Sequence, residues 1–173
     1  MSISSSIKSI QDIMRKDVGV DGDAQRIGQL VWLLFLKIFD DRELEWELLN
    51  DNYKSPLPEK YRWRNWAADP EGMTGDELKS FIDNELFPGL QSLEKHSTTP
   101  AAYVVRGVFE DAYNYMKSGH LLRQVINKLN AIDFNTARSV ARAINRAKGE
   151  GTAQALDGRV VRVRAPTGPD ARV

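Results

Sequence analysis

The chain has 173 residues, 28% charged and 42% apolar, with 24 basic side chains against 24 acidic ones. That size and balance fit one globular domain, with or without a tail, and exclude a wholly disordered chain. No cysteine occurs in the sequence, which excludes a disulfide framework and a thiolate metal site and suits a reducing, cytoplasmic setting.

Ile3, Ile7, Ile10 and Met14 recur at helical spacing and predict a first helix that stops near Gly19. Its N-terminus lacks the apolar core and cleavage site of a signal peptide. Asp23 is the expected N-cap of a long second helix running to about Asn50. The run LVWLLFLKIF within it is about half the length a membrane helix requires, so it predicts a buried helix of a soluble protein with no membrane partner. The helix then passes into DDRELEWELLND, where Leu44, Trp46, Leu48 and Leu49 sit among acids and predict an end at the surface.

Residues 51–73 carry three prolines and clustered aromatics, which predict an ordered loop. Thr74 and Glu77 have capping-box spacing ahead of a helix bearing Leu78, Phe81, Ile82 and Leu86, expected to break at Pro88 and Gly89. Thr99 and Pro100 predict the start of another helix, with Val105, Val108, Phe109, Ala112 and Met116 inward and Gly119 at its end. A last core helix follows, with Leu122, Val125, Ile126 and Leu129 on one side. The fold class predicted is all-α: a multi-helix bundle over residues 1–135, followed by a poorly structured tail over 136–173. The tail holds eight Lys/Arg against three Asp/Glu, leaving sixteen against twenty-one in the body.

Motifs for common chemistry are missing. Neither GxxxxGK[ST] nor GxGxxG occurs. Asp17, Asp21 and Asp23 fail the calcium-loop spacing and read as helix-flanking residues. His96 and His120 read as terminal, partly exposed histidines without a ligand or triad partner. Asp40, Asp41, Glu43 and Glu47 read as a solvated helix face rather than an acid–base pair. No catalytic, cofactor-binding or metal-binding residue is expected. One constellation points to nucleic acid: KYRWRNW interleaves Lys60, Arg62 and Arg64, suited to phosphates, with Trp63 and Trp66, suited to stacking or to pinning the loop on the bundle. A second is the row Arg138, Arg142 and Arg146, aligned at steps of four in the tail.

Four segments in order, IQDIMRKDVGVDGDAQRIGQLVWLLFLKIFDDRE, YRWRNWA, FPGLQSL and LLRQVINKLNAIDFNT, resemble the N-terminal helical domain of the modification subunit of type I restriction–modification systems, over about residues 4–135. The resemblance implies a DNA adenine-N6 methyltransferase subunit that uses S-adenosylmethionine. In it, this domain helps clasp double-stranded DNA, contacts the specificity subunit and responds to methylation of the target, and restriction subunits can join the complex. The family's cofactor loop and [ND]PP[FY] motif do not follow DFNT. No S-adenosylmethionine site is therefore expected in this polypeptide, and the tail reads as a shifted reading frame or a replaced C-terminus. Two alternatives stand beside the truncated-subunit reading: a free-standing module that modulates assembly with the specificity subunit, and a small DNA-binding regulator that uses the tail.

Overall fold

In the structure, a computed structural model describing residues 2–93 and 99–134, regular structure is helical, with no strand among the described residues. The helices are α1 (Ile3–Met14), α2 (Asp23–Leu49), α3 (Trp63–Trp66), α4 (Gly75–Phe81), α5 (Phe87–Gln91), α6 (Pro100–Glu110) and α7 (Gly119–Asn130), with a 3₁₀ turn at Glu59–Tyr61 and a π turn at Ile82–Leu86. The all-α architecture expected from the periodicities is the one observed. The tail, with Arg138, Arg142 and Arg146, lies outside the described residues, as does His96.

Ser2 caps α1, its hydroxyl accepting the Ser5 N–H, and Ile7, Ile10, Ile13 and Met14 turn their stripe onto α7. The opposing face of α7 buries Leu122, Val125, Ile126 and Leu129, the four positions its spacing predicts. The cap of α2 falls on Gly22 instead of Asp23. The Gln25 side chain accepts the Asp21 and Gly22 N–H groups, which moves Asp23 into the first turn, where its charge suits the positive end of the helix dipole.

Leu30, Trp32, Leu33, Leu34 and Leu36 are sealed inside. Trp32 meets Phe87 and Phe109 edge-on at centroid separations of 5.0 and 6.3 Å, and Phe87 meets Phe109 at 5.1 Å. This aromatic triad ties α2 to α5 and α6, and each ring pair adds about 0.5–1.5 kcal/mol beyond area burial.

Two expected breaks differ. Pro88 does not end the helix that begins at Gly75. The intervening turn widens, with the Phe87 N–H bonding the Ile82 carbonyl five residues back, and the helical path resumes with Pro88 in the first turn of α5. Gly89 is required for packing, because a Cβ there would lie 2.4 Å from the Tyr61 ring. Conversely, α6 stops at Glu110, and residues 112–118 run extended to Gly119, which opens α7 instead of closing α6. Buried side chains satisfy this extended backbone. Gln29 accepts the Tyr115 N–H at 2.8 Å, and the Asp17 carboxylate accepts the Lys117 and Ser118 N–H groups at 2.9 Å.

The Thr74–Glu77 capping box does not form. Thr74 caps α4 without a side-chain bond, and its hydroxyl instead lies 3.3 Å from Nδ1 of the exposed His120. Beneath that pair, α4 and α7 touch backbone to backbone. Gly75 has φ +57°, and a Cβ on Gly119 would lie 1.7 Å from the Gly75 carbonyl oxygen.

Candidate nucleic-acid interface

The segment 51–73 is held against the bundle by both of its tryptophans. Trp63 and Trp66 are buried, 5.2 Å apart edge to face. The Trp63 indole N–H donates to Asn130 Oδ1 at 2.8 Å, and that of Trp66 donates to the Tyr61 carbonyl at 3.2 Å. Both rings therefore serve as anchors, and neither offers a free face for stacking on a base.

A residue the sequence reading passed over completes the anchorage. Arg123 of α7 is 5% exposed and spends its guanidinium on four carbonyls, those of Trp66, Ala67, Asp69 and Met73, at 2.7–3.2 Å. Burial pulls its pKa below the usual arginine value. The one sequence signal was a charged residue next to Leu122 on an otherwise apolar face.

The two arginines of KYRWRNW meet the acids of α2. Arg64 Nε donates to Asp40 Oδ1 at 2.8 Å and Arg64 Nη1 donates to Glu47 Oε2 at 2.7 Å. Arg62 stands 3.8 Å from Glu47 Oε1 and its Nε donates to the Leu57 carbonyl at 3.4 Å. Lys60 is the accessible cation of the three, 61% exposed, lying over the Tyr61 ring and 3.9 Å from Glu85.

Asp40, Glu43 and Glu47 share one face of α2 at helical spacing. The expectation of a solvated acidic surface is corrected here: Asp40 and Glu43 are buried. Glu43 accepts the Tyr53 hydroxyl at 2.8 Å. Burial first, and then the bond to Glu43, raise the Tyr53 pKa. Burial also lifts the Asp40 carboxyl above its ordinary range against the pull of Arg64. For Arg64, burial works to lower the pKa, but the hydrogen bonds to Glu47 and Asp40 outweigh it and the guanidinium is held more firmly charged than usual. The arrangement is a desolvated charge cluster that fastens a loop to a helix. Asp40 and Glu47 already hold Nε and Nη1 of Arg64, so a DNA phosphate would compete with both carboxylates for this guanidinium.

Two grooves lie among the described residues: one of about 550 Å³ along α1, lined by Ser2, Ser5, Lys8, Gln11 and Arg15 among others, and one of about 330 Å³ beside Phe87 that contains Asp83, whose oxygens accept from Asn114 and Lys79.

An ordered, all-helical body with a tryptophan-pinned loop matches a known class. The family model of the HsdM N-terminal domain covers residues 3–129. The chain is 62% identical over 139 residues to the type I restriction enzyme EcoEI methylase subunit of Escherichia coli, an alignment spanning 80% of this chain and 28% of that one. A crystal structure of a type I modification subunit from Vibrio vulnificus YJ016 superposes with a TM-score of 0.72 at 34% identity, over 86% of this chain and 36% of that one. A chain from a structural study of type I restriction–modification complex assembly superposes at 0.71 and 30% identity, over 84% and 29%. The chain belongs to the HsdM N-terminal domain family and corresponds to that domain of a type I methylase subunit, spanning about a third or less of these relatives.

A second similarity concerns the other end. The family model of the flagellar P-ring protein covers residues 94–173, and the P-ring protein of Cupriavidus pinatubonensis is 61% identical over 46 residues, 27% of this chain and 12% of that one.

Proposed function

We propose that this chain acts as the helical subunit-contact domain of a type I modification enzyme, joining the specificity subunit and helping to clasp double-stranded DNA in the cytoplasm. Methyl transfer and S-adenosylmethionine binding fall to the part of the enzyme that its relatives carry beyond this domain. The 62% identity over 139 residues, together with the family match over residues 3–129, is the observation that carries the reading. No helix among the described residues is long and apolar enough to cross a membrane.

Of the two contacts, the geometry favours the protein partner. Arg62 and Arg64 are neutralised by α2, and the body up to residue 135 has sixteen basic side chains against twenty-one acidic ones, a poor field for attracting phosphates. The test is co-purification with the specificity subunit cognate to the E. coli relative, followed by titration with duplex DNA. Co-elution that survives high salt is expected, and failure to co-elute at any salt concentration would overturn the reading. Lys60→Ala with Arg62→Ala leaves the Arg64–Asp40 bond intact. It should weaken duplex binding by the assembled complex and reduce the salt slope by about one to two. Unchanged affinity and slope would remove this loop from the DNA contact.

For the tail, the P-ring family match over residues 94–173, with 61% identity over 46 residues to one P-ring protein, supports a joined sequence over a shifted frame, because translation of a methylase gene in the wrong frame has no reason to reproduce another protein family. Sequencing across the codons for 130–140 and onward tests it. P-ring codons continuing in frame are expected, and methylase motifs resuming in another frame would restore the frameshift account. The tail-based DNA-binding regulator, with Arg138, Arg142 and Arg146, is tested by deleting residues 136–173 and measuring duplex affinity.

A further inference from the structure

The cations of the body differ in how far they are already committed. Arg123 is buried against carbonyls, Arg64 bridges Asp40 and Glu47, and Lys37, Arg42, Lys60 and Lys79 each have a carboxylate beside them. Those of α1 are held less tightly. Lys8 is exposed and has no ion-pair partner among the described residues. Arg15 meets Asp12 with the two side chains 50 and 54% open to solvent, and an exposed pair of that kind is weak and readily exchanged.

These two cations belong to a row. Ser4, Lys8, Gln11 and Arg15 follow one another at steps of four, three and four, which sets them on one narrow face of α1 beside the buried stripe of Ile7, Ile10 and Met14. With Ser2 and Ser5 they line the groove of about 550 Å³ along this helix. Every polar side chain in that lining can donate a hydrogen bond, none is a carboxylate, and the first turn of α1 contains no acid. Asp12, the one acid of α1, flanks the row at the place where Arg15 reaches it.

The row is also firmly set. The apolar stripe holds α1 on α7, and just beyond Arg15 the buried Asp17 carboxylate ties the next turn to the Lys117 and Ser118 N–H groups. From Ser4 to Arg15 the helix runs about 16 Å. That matches the axial rise of about four or five phosphates along one strand of duplex DNA. Serine, glutamine, lysine and arginine are the side chains that hold DNA phosphates, and the body as a whole is acidic, so a phosphate contact has to come from a local patch of this kind. We propose that this face of α1 is a phosphate-contact surface of the domain, with Lys8 and Arg15 each meeting a phosphate and Ser4 and Gln11 hydrogen-bonding beside them. The inference rests on the DNA-clasping part of the proposed function and gives it a surface apart from the 60–64 loop. At Arg15 a phosphate exchanges with one half-exposed carboxylate, whereas at Arg64 it competes with two that are largely buried.

Fluorescence-anisotropy titration of a DNA duplex tests it, on the full 173-residue chain in low salt and again after assembly with the specificity subunit. Lys8→Ala with Arg15→Ala should weaken binding at least about tenfold in both settings and lower the salt slope by about two. Lys54→Ala with Lys117→Ala removes the same charge from exposed positions elsewhere and should leave the slope unchanged. Every variant carries the same tail, so its contribution cancels in the comparison. Thermal melts of both pairs should match the unaltered chain, because none of the four side chains is part of the core. Unchanged affinity and slope for the Lys8–Arg15 pair would overturn the proposal, and the proposed function would stand if the complex still binds DNA. An equal loss in the control pair would overturn it too, by showing a general effect of charge. So would loss of co-elution with the specificity subunit while DNA binding is unaltered, which would assign the face to a protein partner. No duplex binding by any form would overturn the proposal together with the DNA-clasping half of the proposed function. Failure to join the specificity subunit, with the α1 effect present in the chain alone, would overturn the subunit contact and leave this proposal standing.

Discussion

The two halves of α2 are held by opposite means. From Leu30 to Phe39 the helix is wrapped by its neighbours, and its stability comes from apolar area removed from water. From Asp40 to Leu49 its inner face is charged and its outer face is bare. There the helix is fixed by a loop that donates two arginines and a tyrosine to it. Burial is indifferent to partner identity, whereas a desolvated carboxylate depends on one guanidinium in one place. The first half tolerates an apolar change that keeps the volume filled, and the second half does not tolerate loss of a charge.

The largest expected effect would break the first half. Trp32→Ala removes the hub of the Phe87–Phe109 triad and should cost about 3–5 kcal/mol in urea unfolding. Next, Arg64→Ala strands Asp40 and should cost about 2–4 kcal/mol, reduced from the full buried-pair figure because the guanidinium is partly open to solvent. Arg64→Lys should recover only part of it, because a single ammonium cannot span Asp40 and Glu47 as the fork does.

A pH series sharpens the same contrast. The folded-state pKa of Asp40 lies above its ordinary value of 3.8, so the native state holds that proton more tightly than the unfolded chain. Relative to Asp40→Asn, the unaltered protein should therefore lose stability as pH rises from below 3.8 through the raised value. A difference between the two that stays flat with pH in thermal melts would show that folding leaves the Asp40 pKa unchanged. The smallest effect belongs to the outer face. Leu48→Asp with Leu49→Asp should change the stability of the isolated chain by no more than about 0.5 kcal/mol, because nothing in the body covers them.

What was legible in the sequence follows the same division. The stripes of α1 and α7 and the apolar run of α2 could be read directly, because burial writes itself as periodicity. The role of Arg64 could not, because its partners lie on another element and charge pairing leaves no local period. The nearest clue was the spacing of Asp40, Glu43 and Glu47, three acids on one face beside a strongly apolar run, with two arginines a short loop away. The stop at Pro88 failed because a π turn can re-register the hydrogen bonds around a proline, and that widening has no composition of its own. The extended run after α6 was hidden for a similar reason: its backbone partners, Asp17 and Gln29, come from the other end of the chain. The buried Arg123 drew no reading from the sequence, because its four carbonyl partners all lie on the loop 66–73.

The contact between Gly75 and Gly119 sets a limit on how this domain can change through descent. Two backbones that meet with no room for a methyl group form a fixed pivot. Changes at the exposed positions of α6, such as Tyr103 and Val104, leave that pivot in place, whereas a single codon change at position 119 moves it. In a saturation library selected for folding, those exposed positions would fill with variants, and position 119 would return glycine alone.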